Sequence, residues 1–206
     1  MMLLPSLRTL FVAAVAVVAA GLIAVGGWFW YSSGQQRAMS AYAAALTQAQ
    51  SAQGQQATPD ARETAVRGLE SALTQYPSGP GAAEIAYQLG NLRFESQQYA
   101  QARGAWELAV AQGATRTLKA LSLGGVAYTW EAERNYPKAV DAFKTALTGV
   151  GPKDFYYEEL LLGLGRTQEL AGQKAEAIAT YRRALSELTQ SRRAEEIRAR
   201  LAALGA

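Results

Sequence analysis

Histidine and cysteine are absent from the 206 residues. That removes imidazole and thiol nucleophiles, disulfides, zinc ligation and haem ligation by either residue, and leaves carboxylates, Lys, Ser, Thr and Tyr for any chemistry. The carboxylate pairs Glu158-Glu159 and Glu195-Glu196 are neighbours in sequence. On a helix such neighbours point about 100° apart, so they do not converge on one substrate atom as acid and base. They read as solvated faces, and so do the pairs Arg182-Arg183 and Arg192-Arg193. The sequence contains no phosphate-binding loop, dinucleotide-binding glycine motif or serine elbow. It predicts no catalytic residue, no metal site, no cofactor and no small-molecule substrate, and so a protein that is not an enzyme. The 20 basic and 17 acidic residues leave a net charge of +3, too balanced for a nucleic-acid binder.

With chemistry removed, the question becomes what the alanines do. Half of the chain is hydrophobic, only 9% is aromatic, and there are six prolines, a composition that predicts an all-helical chain. The segments YAQARGAWELAV, YPKAVDAFKTAL and KAEAIATYRRAL repeat one pattern. Ala102, Trp106 and Ala109 stand at offsets 0, +4 and +7, and the offsets recur as Ala139, Phe143, Ala146 and as Ala177, Tyr181, Ala184. An earlier copy has Ala65, Leu69 and Ala72, so the leading alanines at 65, 102, 139 and 177 are spaced by 37, 37 and 38. Twelve positions before three of them a large residue is followed by a small one: Leu89-Gly90, Val126-Ala127 and Leu164-Gly165. Small residues let two helices approach, and the bulky side chain at +4 fills the space toward the next unit. Breakers at Pro77–Gly81, Gly113 and Gly149–Pro152 fall where each hairpin should end.

This pattern of a Leu-Gly pair, a tyrosine (Tyr99), then Ala, a bulky residue, Ala and a proline resembles the tetratricopeptide repeat. The period is longer than the family's usual one, and the closing proline survives only as Pro77 and, one place late, Pro152. The resemblance implies a solenoid of four hairpins, at about 34–78, 82–114, 119–152 and 154–189, within a repeat domain of 34–190. A capping helix follows at 191–206, with Ile197, Leu201 and Leu204 on one face. It further implies that the first helix of each unit lines a concave face. The lining positions are then Glu84, Tyr87, Asn91, Phe94 and Glu95 in the second unit, and Leu121, Gly124, Tyr128, Glu131 and Ala132 in the third. In the fourth they are Glu159, Leu162, Arg166, Glu169 and Leu170. Of these, Tyr87, Asn91, Phe94, Glu95, Tyr128, Glu131, Arg166 and Glu169 are the candidate partner-binding residues. Aromatics mixed with carboxylates suit a polypeptide carrying apolar and basic side chains. The paired lysines of a carboxylate clamp are missing. Phe155, Tyr156 and Tyr157 are expected to pack against the preceding hairpin.

Residues 10–31, LFVAAVAVVAAGLIAVGGWFWY, carry no charge. As a helix they would span about 33 Å, enough to cross a hydrocarbon core once, and Trp28–Tyr31 would form an interfacial aromatic belt. The segment is too long for a cleavable signal peptide, so an uncleaved anchor is expected, with residues 1–9 as a short cytoplasmic tail and the repeat domain exported. Tail, anchor, an Ala/Gln-rich first helix and four hairpins together are similar to the bacterial single-pass repeat proteins typified by the ancillary subunit of the Sec translocon. That resemblance implies an inner-membrane protein with a periplasmic repeat domain whose partners are proteins: translocase, chaperones or other membrane-complex subunits. It implies a scaffold for client polypeptides in translocation or chaperoning. The alternative is a stable structural subunit or assembly factor of an envelope complex.

Overall fold

Polar caps and left-handed turns cut the alanine-rich chain into helices. The computed structural model describes residues 7–54 and 57–206; the side chains of 7–21 and 23 lie outside that description. The described residues form nine helices and no strand: α1 (Leu7–Ser51), α2 (Pro59–Gln75), α3 (Ala82–Glu95), α4 (Tyr99–Ala111), α5 (Arg116–Ala132), α6 (Tyr136–Ala146), α7 (Tyr157–Leu170), α8 (Lys174–Glu187) and α9 (Ala194–Ala203). The side chains of Thr58, Thr115 and Asn135 accept hydrogen bonds from the amides of Ala61, Leu118 and Lys138, which caps α2, α5 and α6. Within the last three hairpins the turn is the same each time. Gln97, Arg134 and Gly172 take positive φ values of 59°, 58° and 73°. The amide after each donates to a carbonyl five residues back, as Gln98 to Arg93, Asn135 to Trp130 and Gln173 to Gln168.

Each helix packs on the next, and α1, α3 and α5 also touch the following odd-numbered helix, whereas the even-numbered helices do not touch one another. The stack therefore curves with the odd-numbered helices on the inner side. Where two helices of a hairpin cross, Ala65, Ala102, Ala139 and Ala177 are each 0% exposed. The +4 residues Leu69, Trp106, Phe143 and Tyr181 are buried beside them.

The bulky side chains need a partner surface without Cβ atoms. A Cβ on Gly90 would lie 2.5 Å from the Trp106 ring, and one on Gly125 in the next unit 2.7 Å from the other part of that ring. Trp106 is thus clasped between its own unit and the following one. Phe143 lies against Gly163 and Tyr181 against Gly165 in the same manner, each at 2.6 Å. Beyond α8, Ile197 and Leu201 of α9 are buried against the last hairpin and close the stack.

α1 runs unbroken for 45 residues, although the sequence places an anchor and a separate first repeat helix there. Ser32, Ser33 and Gly34 do not interrupt it; the two serine hydroxyls donate to the carbonyls of Phe29 and Trp30. Its C-terminal part, from Ala38 onward, packs on α2 and α3, and Tyr42 donates its hydroxyl to the Tyr76 carbonyl. Its N-terminal part projects away, with Leu22, Val25, Trp28, Phe29, Trp30 and Tyr31 exposed. Among the described residues no helix is long and apolar enough to cross a membrane. More than half of the expected anchor side chains, and residues 1–6 of the expected cytoplasmic tail, lie outside the described residues.

Two glycines of α3 and α4 separate packing from propensity. Gly104 is in mid-helix with nothing within 4 Å of a built Cβ. Gly104→Ala is expected to stabilise the fold by about 0.5–1 kcal/mol through helix propensity, and Gly90→Ala to destabilise it by about 1–3 kcal/mol by overpacking Trp106. Urea unfolding of the two variants checks both signs. Arg134→Gly should stabilise by up to about 1 kcal/mol in the same assay, because it relieves a left-handed conformation that costs an L-residue about 1–2 kcal/mol.

Candidate functional site

Residues at helical spacing on α3, α5 and α7 share the inner face, and between these helices lies a cavity of about 220 Å³. Tyr87, Asn91 and Phe94 of α3 form one wall, Leu121 and Tyr128 of α5 another, and Glu159 and Leu160 of α7, with Tyr156, the third. Trp106, Gly124 and Gly125 make the floor. The glycines that admit Trp106 and Leu160 into the packing also leave part of the floor as bare backbone beside the Trp106 ring. The pocket is thus a by-product of how the units stack. Tyr87, Phe94 and Tyr128 are half-buried: each packs on the core and shows one side to the cavity. Phe94 leans on Tyr99 and Trp106, with ring centroids 5.5 and 5.9 Å away. Tyr128 meets Phe143 edge-on at 5.0 Å. Asn91 accepts from the Trp106 indole at 3.3 Å and donates to Gln88 at 3.2 Å, so its carboxamide orients the floor.

The other candidate residues on this face, Glu95, Glu131, Arg166 and Glu169, do not line the cavity. They are joined in ion pairs that tie one unit to another. The Arg166 guanidinium bonds the Glu131 carboxylate through both Nε, at 3.1 Å, and Nη2, at 3.2 Å, while Thr167 donates to the same carboxylate. Arg193 of the cap reaches Glu159 at 2.7 Å and Glu196 at 3.0 Å. Arg200 lies 3.4 Å from Glu169, which also accepts from the Tyr181 hydroxyl. Arg62 stands 3.5 Å from Glu95. The expectation that these carboxylates would attract basic side chains is corrected by this pairing, since each already faces an arginine from a different hairpin or the cap. The groove that remains open is apolar and aromatic.

Burial bears on two further expectations. Leu162, expected on the concave lining, is buried in the cluster with Ile197 and Leu201, because the cap lies over that side of α7. Tyr156 and Tyr157 are buried as packing residues, while Phe155 is 80% exposed. Trp130 turns away from the groove and is held between Arg103, 3.7 Å from the ring centroid, and Lys138, at 4.4 Å. Trp106 and Gly125 in the floor, and Tyr156 and Leu160 in the wall, are not among the residues that helical spacing places on the lining. The Gly124-Gly125 doublet inside a helix was the available signal. Among the described residues no group of three or more metal-ligating side chains is gathered in one place.

Burial, and after it the bonded Glu159 carboxylate at 2.6 Å, raises the Tyr128 hydroxyl above its usual pKa. Burial and Glu169 do the same to Tyr181. Both folded-state values exceed the unfolded ones, so the folded state holds more protons in alkali. This stabilisation is complete below about pH 10 and is lost as pH rises further, toward the folded-state values. Tyrosinate absorbance and circular dichroism followed together in alkali should show Tyr128 and Tyr181 ionising only as helicity is lost, and Tyr128→Phe should soften that dependence.

No protein-family model matches the sequence, and no curated protein matches it. Solved structures do. The crystal structure of MamA protein superposes with a TM-score of 0.52 at 19% identity over 61% of this chain and 63% of that one, so the chain spans just under two thirds of MamA. A crystal structure of putative kinesin light chain nearly identical TPR-like repeats from Podosopora anserina gives a TM-score of 0.55 at 15% identity, over 83% of this chain and 96% of that one. A single-substitution form of those repeats gives the same score and identity over 82% and 95%. The described chain therefore has the fold of a TPR-like helical repeat solenoid.

Proposed function

We propose that this protein is a protein–protein interaction scaffold whose inner groove takes an apolar side chain of a partner polypeptide. The observation that carries this reading is the open cavity walled by Tyr87, Phe94 and Tyr128, on a face where Glu131, Glu159 and Glu169 are already paired with arginines. Such a surface offers contact area without a sequence-specific charge code, which suits exposed apolar segments of unfolded or partly folded clients. The Tyr128 hydroxyl and the Glu159 carboxylate that line the cavity are bonded to each other, and the proposal is of a binder and not an enzyme.

The proposal extends to the apolar half of α1. Residues 10–31 are uncharged, and the described side chains at its end are exposed aromatics. In water that arrangement leaves a large apolar surface uncovered, whereas in a bilayer it is buried and Trp28–Tyr31 sit at the interface. On this reading the chain is a single-pass bacterial inner-membrane protein with its N-terminus cytoplasmic and its repeat domain in the periplasm. It would hold clients there for translocation or chaperoning.

Groove binding is tested with a labelled, permanently unfolded polypeptide rich in leucine and phenylalanine. Tyr87→Ala should weaken its binding about tenfold, as expected for loss of a central aromatic anchor, and Tyr128→Phe, which keeps the ring, should leave it within about twofold. Equal affinity of wild type and Tyr87→Ala would count against the groove. Isolation of the full chain in a stoichiometric membrane complex that Tyr87→Ala does not perturb would instead support a fixed structural subunit.

A further inference from the structure

A second recess lies where the projecting part of α1 meets the first hairpin. It measures about 380 Å³, within the size range of small-ligand sites, and faces the loop that follows α2. Trp30, Tyr31, Gln35 and Arg37 of α1 line one side, Tyr76 and Ser78 the other. We infer that this recess binds a phospholipid headgroup, the phosphate at Arg37 and a hydrogen-bond-donating terminus, ammonium or hydroxyl, at Gln35. The inference rests on the proposal that α1 anchors the chain in a membrane.

Three observations converge on that chemistry. No carboxylate lines the recess. Arg37 is exposed and enters none of the ion pairs among the described residues, so the recess carries a cation with no carboxylate in its lining to oppose it. An exposed arginine in such surroundings presents an unopposed cation to a phosphate. The Gln35 carboxamide oxygen is buried with no hydrogen-bond partner. An orphaned buried acceptor costs about 1–3 kcal/mol, and a donor brought in by a ligand removes that cost. A choline headgroup has no N–H or O–H to give, whereas ethanolamine and glycerol headgroups do.

Position agrees with chemistry. Arg37 lies six residues beyond Tyr31, or about 9 Å along a helix axis, just outside the aromatic belt. That is the level at which a lipid's phosphate and its terminus sit when Trp and Tyr side chains occupy the interface. Trp30 and Tyr31 belong to both the belt and the recess, so the occupant would be continuous with the lipid around the anchor.

The test uses the full chain in detergent micelles doped with phosphatidylethanolamine, phosphatidylglycerol or phosphatidylcholine of identical acyl chains, with retained lipid read by native mass spectrometry. Ethanolamine and glycerol lipids should be retained about fivefold or more over choline lipid, the ratio expected from one net hydrogen bond. Gln35→Leu should abolish the discrimination, and Arg37→Ala should lower retention of all three, with Arg37→Lys restoring part of it; circular dichroism confirms that each variant stays helical. Equal retention of the three lipids, or a preference that survives Gln35→Leu, overturns the inference. Displacement of bound lipid by inorganic phosphate or soluble phosphoethanolamine overturns the lipid as the source of that chemistry. Carbonate extraction of the full chain from bacterial membranes separates the two levels: a chain washed free overturns the anchor and this site together. A chain that stays embedded but shows no headgroup preference overturns this site alone.

Discussion

The packing of one bulky side chain against a glycine is the contact on which this stack depends. Trp106 meets Gly90 within its own hairpin and Gly125 in the next, so a single residue fixes both the crossing inside a unit and the distance between units. Phe143 against Gly163 and Tyr181 against Gly165 each make half of the same arrangement. Burying such a ring contributes about 1.5–3 kcal/mol. Only a backbone stripped of Cβ atoms lets the ring approach closely enough to gain it. The alanines at 65, 102, 139 and 177 serve the same end on the facing helix. Much of the solenoid's geometry is therefore set by where small residues are placed.

That constraint governs the inner face as well. Helices brought close by glycine leave little room for unpaired charge on the inner face, and Glu131 of α5 and Glu159 and Glu169 of α7 are met by arginines one hairpin further along or in the cap. An exposed pair contributes about 0–1 kcal/mol, so the value of this ladder lies in register more than in stability. It fixes which odd-numbered helix faces which, and it removes those carboxylates from the surface offered to a partner. What stays open is the aromatic cavity between α3, α5 and α7, whose floor is the same Trp106 that holds the units together. The groove cannot be reshaped without disturbing the stack.

The sequence made the stack legible because its signal is periodic. Alanines spaced by 37 or 38 residues identify hairpins even where no single position is diagnostic. Leu89-Gly90 and Leu164-Gly165 stand out as small-residue sites of their own units, whereas the role of Gly125 and Gly163, to receive a ring from the preceding hairpin, is not written in a pattern within one unit, conspicuous though the Gly124-Gly125 doublet is. The turns inside the hairpins were hidden for another reason. Two of the three left-handed positions hold Gln97 and Arg134 in place of glycine. The eight candidate groove residues share one face, as helical spacing requires, but which of them are free and which are paired depends on arginines about 30 residues away. Spacing alone does not encode that.

The unbroken α1 bears on how such a groove would be used. From the last exposed aromatic, Tyr31, to the first buried residue of the repeat stack, Ala38, is about 10 Å of continuous helix. No flexible linker intervenes, because the serines that a sequence reading would take for a break bond back onto their own helix. Bending that junction would mean breaking helical hydrogen bonds, and Tyr42, held at the Tyr76 carbonyl and edge-on to the Tyr76 ring, braces it from the side. The apolar segment and the first repeat are one mechanical element. If that segment is fixed in a bilayer, the groove is held at a set height and orientation above the surface. It would then meet partners that arrive at one place and would not sweep a volume on a flexible tether. A scaffold of this kind gains selectivity from where it stands as well as from what its groove accepts, which is consistent with a groove whose own chemistry is apolar and undemanding.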